Sequence, residues 1–168
     1  MKAAAMNAPE TLIDTTLTLN GEAITRRIPV RQNLVDFLRE EMGLTGTHIG
    51  CEHGVCGACT VRVDGNIVRG CLMLAVQAEG RTVETIEGLS DSGEIADLQD
   101  AFHKRNALQC GFCTPGMLLT VQDLAQKNPR ATREQIREHI SGNYCRCTGY
   151  QAIVDAVETV LAARQIKV

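Results

Sequence analysis

The apolar period of the chain changes near its middle. From Thr11 to Leu19 apolar and polar positions roughly alternate, with Leu12, Thr15/Leu17 and Leu19 on one side. Asn20-Gly21 follows, the strongest two-residue hairpin signal, and Glu22–Val30 returns as a second strand through Ile24, Ile28 and Val30. Asn33 suits the N-cap of a helix over about Leu34–Met42, whose apolar face is Leu34, Val35, Phe37 and Leu38, with Gly43 at its C-terminal cap. Thr60–Val63, Asp64-Gly65 and Asn66–Arg69 predict a second hairpin, and Thr82–Ile86 a last strand. Between the helix and that hairpin, Leu44–Ala58 has no period and holds Gly46, Gly50, Gly54 and Gly57. So long an unpatterned segment inside a compact unit is usually functional.

After Gly88 the spacing becomes helical. Ile95, Leu98, Ala101 and Phe102 predict one helix. Thr114-Pro115, read as N-cap and N1, opens a second through Met117, Leu118, Val121 and Leu124. Thr132-x-x-Gln135 is a capping box for a short third helix ending at Ser141-Gly142. Ile153, Val154, Val157, Val160 and Leu161 give the fourth. The expected division is residues 1–10 as a flexible tail, 11–88 as a mixed α+β unit and 89–168 as a helical unit. Leu72, Met73, Val121 and Leu161 are core candidates. Asp91, Glu94, Asp97 and Asp100 read as a solvated acidic face.

Composition narrows the function classes. The net charge is −3 and no run of Lys or Arg forms a phosphate-tracking stripe, which argues against nucleic-acid binding. The chain has no Trp, three Phe and two Tyr, a thin aromatic supply for two small cores, so bound groups would help to hold them together. Met1–Glu10 lacks an apolar stretch of the secretory kind, and nothing approaches the ~20 apolar residues of a membrane span. The expectation is a cytoplasmic protein without membrane insertion, where clustered cysteines serve metals more often than disulfides. There is no Gly-x-Gly-x-x-Gly fingerprint, P-loop or nucleophile motif, so no catalytic residue is assigned.

The eight cysteines carry the chemistry. Cys51, Cys56, Cys59 and Cys71 give Cys-x4-Cys-x2-Cys followed by a more distant Cys, the ligand spacing of plant-type [2Fe–2S] ferredoxins. Cys110-x2-Cys113 and Cys145-x-Cys147 make a second set of four. The glycines around the first set allow backbone N–H groups to approach a negative, buried cluster. The second set places Cys110 and Cys113 at a predicted helix N-terminus, where the dipole favours thiolate, and Arg146 adds positive charge between Cys145 and Cys147. On spacing alone a four-thiolate zinc site stays open for the second set. His48 and His53 flank Cys51 and are read as loop residues, His103 and His139 as surface or packing residues.

Three motifs, Gly50-Cys-Glu-His-Gly-Val-Cys-Gly-Ala-Cys59, Gln109-Cys-Gly-Phe-Cys-Thr-Pro-Gly116 and Asn143-Tyr-Cys-Arg-Cys-Thr-Gly-Tyr150, resemble the iron–sulfur small subunit of molybdenum hydroxylases. That family includes xanthine dehydrogenase, aldehyde oxidoreductases, carbon monoxide dehydrogenase and bacterial quinoline 2-oxidoreductase. The resemblance runs over about residues 12–163. It implies an N-terminal β-grasp plant-type ferredoxin domain followed by an all-α four-helix bundle, each with one [2Fe–2S] cluster. It implies that the cluster on Cys51, Cys56, Cys59 and Cys71 faces FAD, and that the one on Cys110, Cys113, Cys145 and Cys147 faces a molybdopterin cofactor. Gln109 and Cys147 would contact that pterin. The implied partners are a large molybdopterin-binding subunit and a medium FAD-binding subunit, in a dimer of heterotrimers. The implied role is an electron relay during substrate hydroxylation, with an N-heteroaromatic substrate favoured over an aldehyde, a purine or carbon monoxide. A free two-cluster ferredoxin is the competing expectation.

Overall fold

The computed structural model describes residues 10–166. The predicted tail lies outside these residues except for Glu10, which pairs with Arg31 at 3.4 Å. Strands β1 (Leu12–Leu19) and β2 (Glu22–Pro29) form an antiparallel hairpin with Leu17 opposite Ile24. Its turn takes positive φ at both Asn20 (49°) and Gly21 (88°), as the tight hairpin turn requires. Helix α1 runs through Leu34–Asp36 and continues as a wider turn over Phe37–Glu41. Asn33 caps it, accepting the Asp36 N–H at 2.8 Å. Strands β3 (Thr60–Val63) and β4 (Asn66–Arg69) pair around Asp64-Gly65, and β5 (Thr82–Glu84) completes the sheet. The order is β2-β1-β5-β3-β4, with β5 parallel to β1 and antiparallel to β3.

Two apolar cores follow one another along the chain. The first gathers Leu17, Leu34, Phe37, Leu38, Val61 and Val83 between the sheet and α1. Burying each such large side chain contributes roughly 1.5–3 kcal/mol relative to leaving it in water. The second gathers Ile95, Leu98, Met117, Val121, Ile153 and Val157 among α3 (Ala96–Lys104), α4 (Thr114–Lys127), α5 (Arg133–Ile140) and α6 (Gln151–Ile166). One further helix, α2 (Ile86–Asp91), enters this second core through Ile86 and Leu89. The predicted last strand therefore stops at Glu84, two residues early, because Ile86 is drawn into the helical core. No helix among the described residues is long and apolar enough to cross a membrane.

Three other expectations are corrected. Leu72 is 66% exposed and belongs to no core, because it sits in a short turn (Gly70–Leu72) beyond the sheet edge. Thr114 is the first helical residue of α4 and Cys113 its N-cap, so the helix opens on a cysteine. The acidic stretch is not simply solvated. Arg62 on β3, itself buried, holds Glu84 at 2.7 and 2.8 Å and Glu94 at 2.7 and 2.8 Å. Arg164 on α6 holds Asp97 at 2.7 and 2.8 Å.

Candidate iron–sulfur sites

The first four cysteines meet beside the sheet. Cys51, Cys56 and Cys59 lie on the loop between α1 and β3, and Cys71 on the turn after β4. The Gly70 N–H donates to the Cys59 carbonyl at 3.0 Å, which brings the Cys71 turn against the loop. Glu52, Gly54 and Gly57 all have positive φ (58°, 82° and 74°), so the loop curls and turns its amides inward. Cys51 Sγ accepts the Cys56 N–H at 3.4 Å. The His53 N–H, then the Cys56 N–H, bring its thiol down to about 6, which favours thiolate at neutral pH. Cys59 is buried, and desolvation pushes its thiol up to about 11. Its near neighbours are Cys71 and Cys56.

The second four meet at the end of the helical unit. Cys110 and Cys113 precede and cap α4, while Cys145 and Cys147 lie between α5 and α6. Cys110 Sγ and Cys147 Sγ are 3.6 Å apart and exposed. Cys113 and Cys145 are half-buried and adjoin each other. Desolvation, with the Cys145 thiol beside it, pushes Cys113 up to about 12. Burial also pushes Cys145 up, but the Thr148 hydroxyl and N–H outweigh it and hold this thiol below its ordinary value. Gln109 Nε2 donates to the Cys147 carbonyl at 3.1 Å, so the two residues expected at the pterin share one face.

Cys110 and Cys147 meet sulfur to sulfur, while Cys59 neighbours Cys71 and Cys56, and Cys113 neighbours Cys145 and Cys110. Two thiolates about 2.3 Å from one tetrahedral metal stand roughly 3.8 Å apart, close to the separation of Cys110 and Cys147. Among the described residues no three His, Cys, Asp or Glu side chains group to hold a single ion. A pair at that spacing suits one iron of a diiron unit, with two thiolates for each iron. The donor set and the inward amides both fit a [2Fe–2S] group at each site.

The two sites are joined directly. The Tyr144 N–H donates to the Cys56 carbonyl at 2.8 Å, one residue before Cys145. The His48 and Phe112 rings stack at 4.6 Å with an interplanar angle of 16°, and His48 Nδ1 lies 2.7 Å from the Phe112 carbonyl. Asn143, buried, donates to the Gly57 carbonyl at 3.1 Å and accepts from Thr120 (3.0 Å) and Arg69 (3.3 Å). Gly57 leaves no room for a Cβ, which would stand 2.5 Å from the Gly142 carbonyl. Nothing in the sequence marks Asn143, His48 or Arg62 as links. Each is an ordinary polar residue whose partner is distant along the chain. The His53 ring lies against the Cys51 carbonyl through Nδ1, His103 is exposed, and His139 lies 3.2 Å from Asp123.

Comparison with known proteins matches both parts of the chain to iron–sulfur families. Residues 17–89 match the family described as "2Fe-2S iron-sulfur cluster binding domain", and residues 85–158 match "[2Fe-2S] binding domain". The chain is 53% identical over 153 residues to the caffeine dehydrogenase subunit gamma of Pseudomonas sp. (strain CBB1), covering 89% of this chain and 92% of that protein. It is 49% identical over 150 residues to the nicotine 6-hydroxylase small subunit of Paenarthrobacter nicotinovorans, covering 89% of this chain and 90% of that one. Among solved structures, quinoline 2-oxidoreductase from Pseudomonas putida 86 superposes with a TM-score of 0.86 at 50% identity, over 91% of this chain and 94% of that one. The chain belongs to the [2Fe–2S] small subunits of molybdenum hydroxylases.

Proposed function

We propose that this chain is the electron-transfer subunit of a molybdenum hydroxylase acting on an N-heteroaromatic compound. Cys51, Cys56, Cys59 and Cys71 hold one [2Fe–2S] cluster, and Cys110, Cys113, Cys145 and Cys147 the other. Each cluster, when bound, takes up and releases one electron at a time, so the pair divides a two-electron oxidation into single steps. The observation that carries the reading is the contact between the sites: Cys56 and Cys145, one ligand of each, are linked through the Tyr144 N–H and the Cys56 carbonyl. The chain's work is to fix that separation, exclude water from Cys59 and supply amides to the sulfurs.

The architecture is read as a β-grasp ferredoxin domain over residues 11–88 and a helical domain over 89–168. The sheet core ends at Val83 and the helical core begins at Ile86, which supports this division. Gln109 and Cys147 face the molybdopterin in a large partner subunit, and the first cluster faces FAD in a medium one. Exposed Leu108 (36%), Phe112 (47%) and Tyr144 (55%) surround the second site and support a covered interface over a free carrier's surface. The proposed assembly is a cytoplasmic dimer of heterotrimers. The substrate class rests on the names of relatives that act on caffeine, nicotine and quinoline.

Iron and sulfide analysis of the natively purified complex tests the reading, with paramagnetic resonance after dithionite. Two distinct [2Fe–2S] signals and matched iron and sulfide are expected. Zinc in place of iron, or one signal only, rejects it. In the same complex Cys113→Ser should stop flavin reduction in rapid mixing while substrate oxidation at molybdenum still begins. Normal flavin reduction would contradict the route.

A further inference from the structure

The turn after Cys147 is built around one sulfur. Gly149 (φ 62°) and Tyr150 (φ 67°) are both left-handed, and for a residue as bulky as Tyr that conformation is a genuine outlier. The reversal folds the chain back on Cys145. The Tyr150 N–H donates to Thr148 Oγ1 at 3.2 Å, and Thr148 Oγ1 lies 3.1 Å from Cys145 Sγ. The Thr148 N–H donates to the same sulfur at 3.4 Å. The ring closes where the Tyr150 hydroxyl accepts the Cys145 N–H at 2.9 Å.

The direction of the hydroxyl contact follows from chemistry. A thiolate ligand has no proton to give, so Thr148 must donate to it. The Tyr150 N–H already occupies an oxygen lone pair, which leaves the hydroxyl proton for the sulfur. Cys145 is the only cysteine sulfur among the described residues that meets a hydroxyl. Reduction adds negative charge to a cluster and its thiolates, so a fixed donor strengthens as the electron arrives.

We propose that Thr148, held in place by the left-handed Tyr150, is a positioning residue that raises the reduction potential of the second centre through the Cys145 sulfur. This rests on the reading that the second set of cysteines holds a [2Fe–2S] cluster. It makes that centre a better electron acceptor than its other ligands alone would.

The test is a potentiometric titration of the intact complex, followed by paramagnetic resonance. The second centre is the signal lost in Cys113→Ser. In Thr148→Val its reduced-to-oxidised ratio at the wild-type midpoint should fall several-fold, each tenfold corresponding to 59 mV for a one-electron couple. The first centre should not move, and Thr148→Ser, which keeps the hydroxyl, should titrate close to wild type. An unchanged midpoint in Thr148→Val overturns the assignment, as does an equal shift in Thr148→Ser. Should Thr148→Val bind no iron, Thr148→Ala carries the same test. Loss of the centre in both makes Thr148 structural and also overturns it. A wild type without a second signal rejects instead the reading that a cluster sits there.

Discussion

At the residue scale, the joint between the two sites runs through one buried amide. Asn143 is 1% exposed, and its amide serves Gly57, Thr120 and Arg69 together. A buried network of this kind specifies one arrangement only while every member is satisfied. Asn143→Ala removes three buried hydrogen bonds at once, although the Gly57 carbonyl keeps the Thr60 hydroxyl at 2.7 Å and the Thr120 hydroxyl keeps the Gly116 carbonyl at 2.9 Å. It should cost about 1–3 kcal/mol in denaturant unfolding of the loaded protein. Two glycines offer a sharper comparison. Gly21 (φ 88°) has open space where a Cβ would go, so Gly21→Ala carries only the left-handed penalty, about 1 kcal/mol. Gly57 (φ 74°) has the same penalty and a backbone carbonyl 2.5 Å from its absent Cβ. Gly57→Ala should therefore lower the melting temperature several times more than Gly21→Ala, and equal shifts would show that the close approach of the two sites carries little energy.

At the element scale, the pieces fixed by local chemistry were legible and those fixed by distant contacts were not. Asn20-Gly21 and Asp64-Gly65 take positive φ at both residues, as their composition implies. The capping box at α5 is present, with the Thr132 N–H donating to Gln135 Oε1 at 2.9 Å and the Thr132 hydroxyl accepting the Gln135 N–H at 3.4 Å. Thr132→Ala should cost about 1 kcal/mol, read as faster amide exchange confined to α5. Helix α2 escaped prediction because its cap, Thr85, makes no side-chain capping bond and its two apolar anchors pack on helices that come later. The wide turn at Phe37–Glu41 was also invisible. Phe37 and Leu38 lie fully inside the first core, as their place on the apolar face implies, but the widening of the turn is an outcome of packing that periodicity does not encode. The spacings Cys51-x4-Cys56-x2-Cys59 and Cys110-x2-Cys113 were legible because each is local to one loop, and both loops lie where the pattern expects them. The contact of Cys110 with Cys147 was not, because it depends on how two distant loops fold against each other.

At the scale of the whole molecule, the arginine on β3 is the electrostatic counterpart of the backbone contact between the sites. Arg62 binds Glu84 at the end of the sheet and Glu94 at the start of the helical unit, and Glu94 also accepts from Gln122 (2.9 Å) and Gln126 (3.0 Å) on α4. Electron transfer slows steeply with distance, so a clamp that keeps the sheet from swinging away from α4 bears on rate as well as stability. The Arg62 guanidinium holds the Glu94 carboxyl below its ordinary value of 4.5. A carboxyl depressed by folding contributes stability that is fully present above its unfolded value and is lost as pH falls through its folded value. The contribution of Glu94 should thus be complete at neutral pH and fade below about pH 4.5. Glu94→Gln removes the charge at every pH. Its melting temperature should lie below that of the wild type at pH 7, and the gap should close as the solution is taken down through the acid range. Arg62→Leu has the larger expected effect at neutral pH, ~3 kcal/mol, because it removes the guanidinium that both carboxylates share. In that variant, acid protonates the stranded carboxylates and should recover part of the loss. A Glu94→Gln gap that stays constant from neutral to acid pH would mean that the clamp acts through its hydrogen-bonded shape alone, with no contribution from its charge.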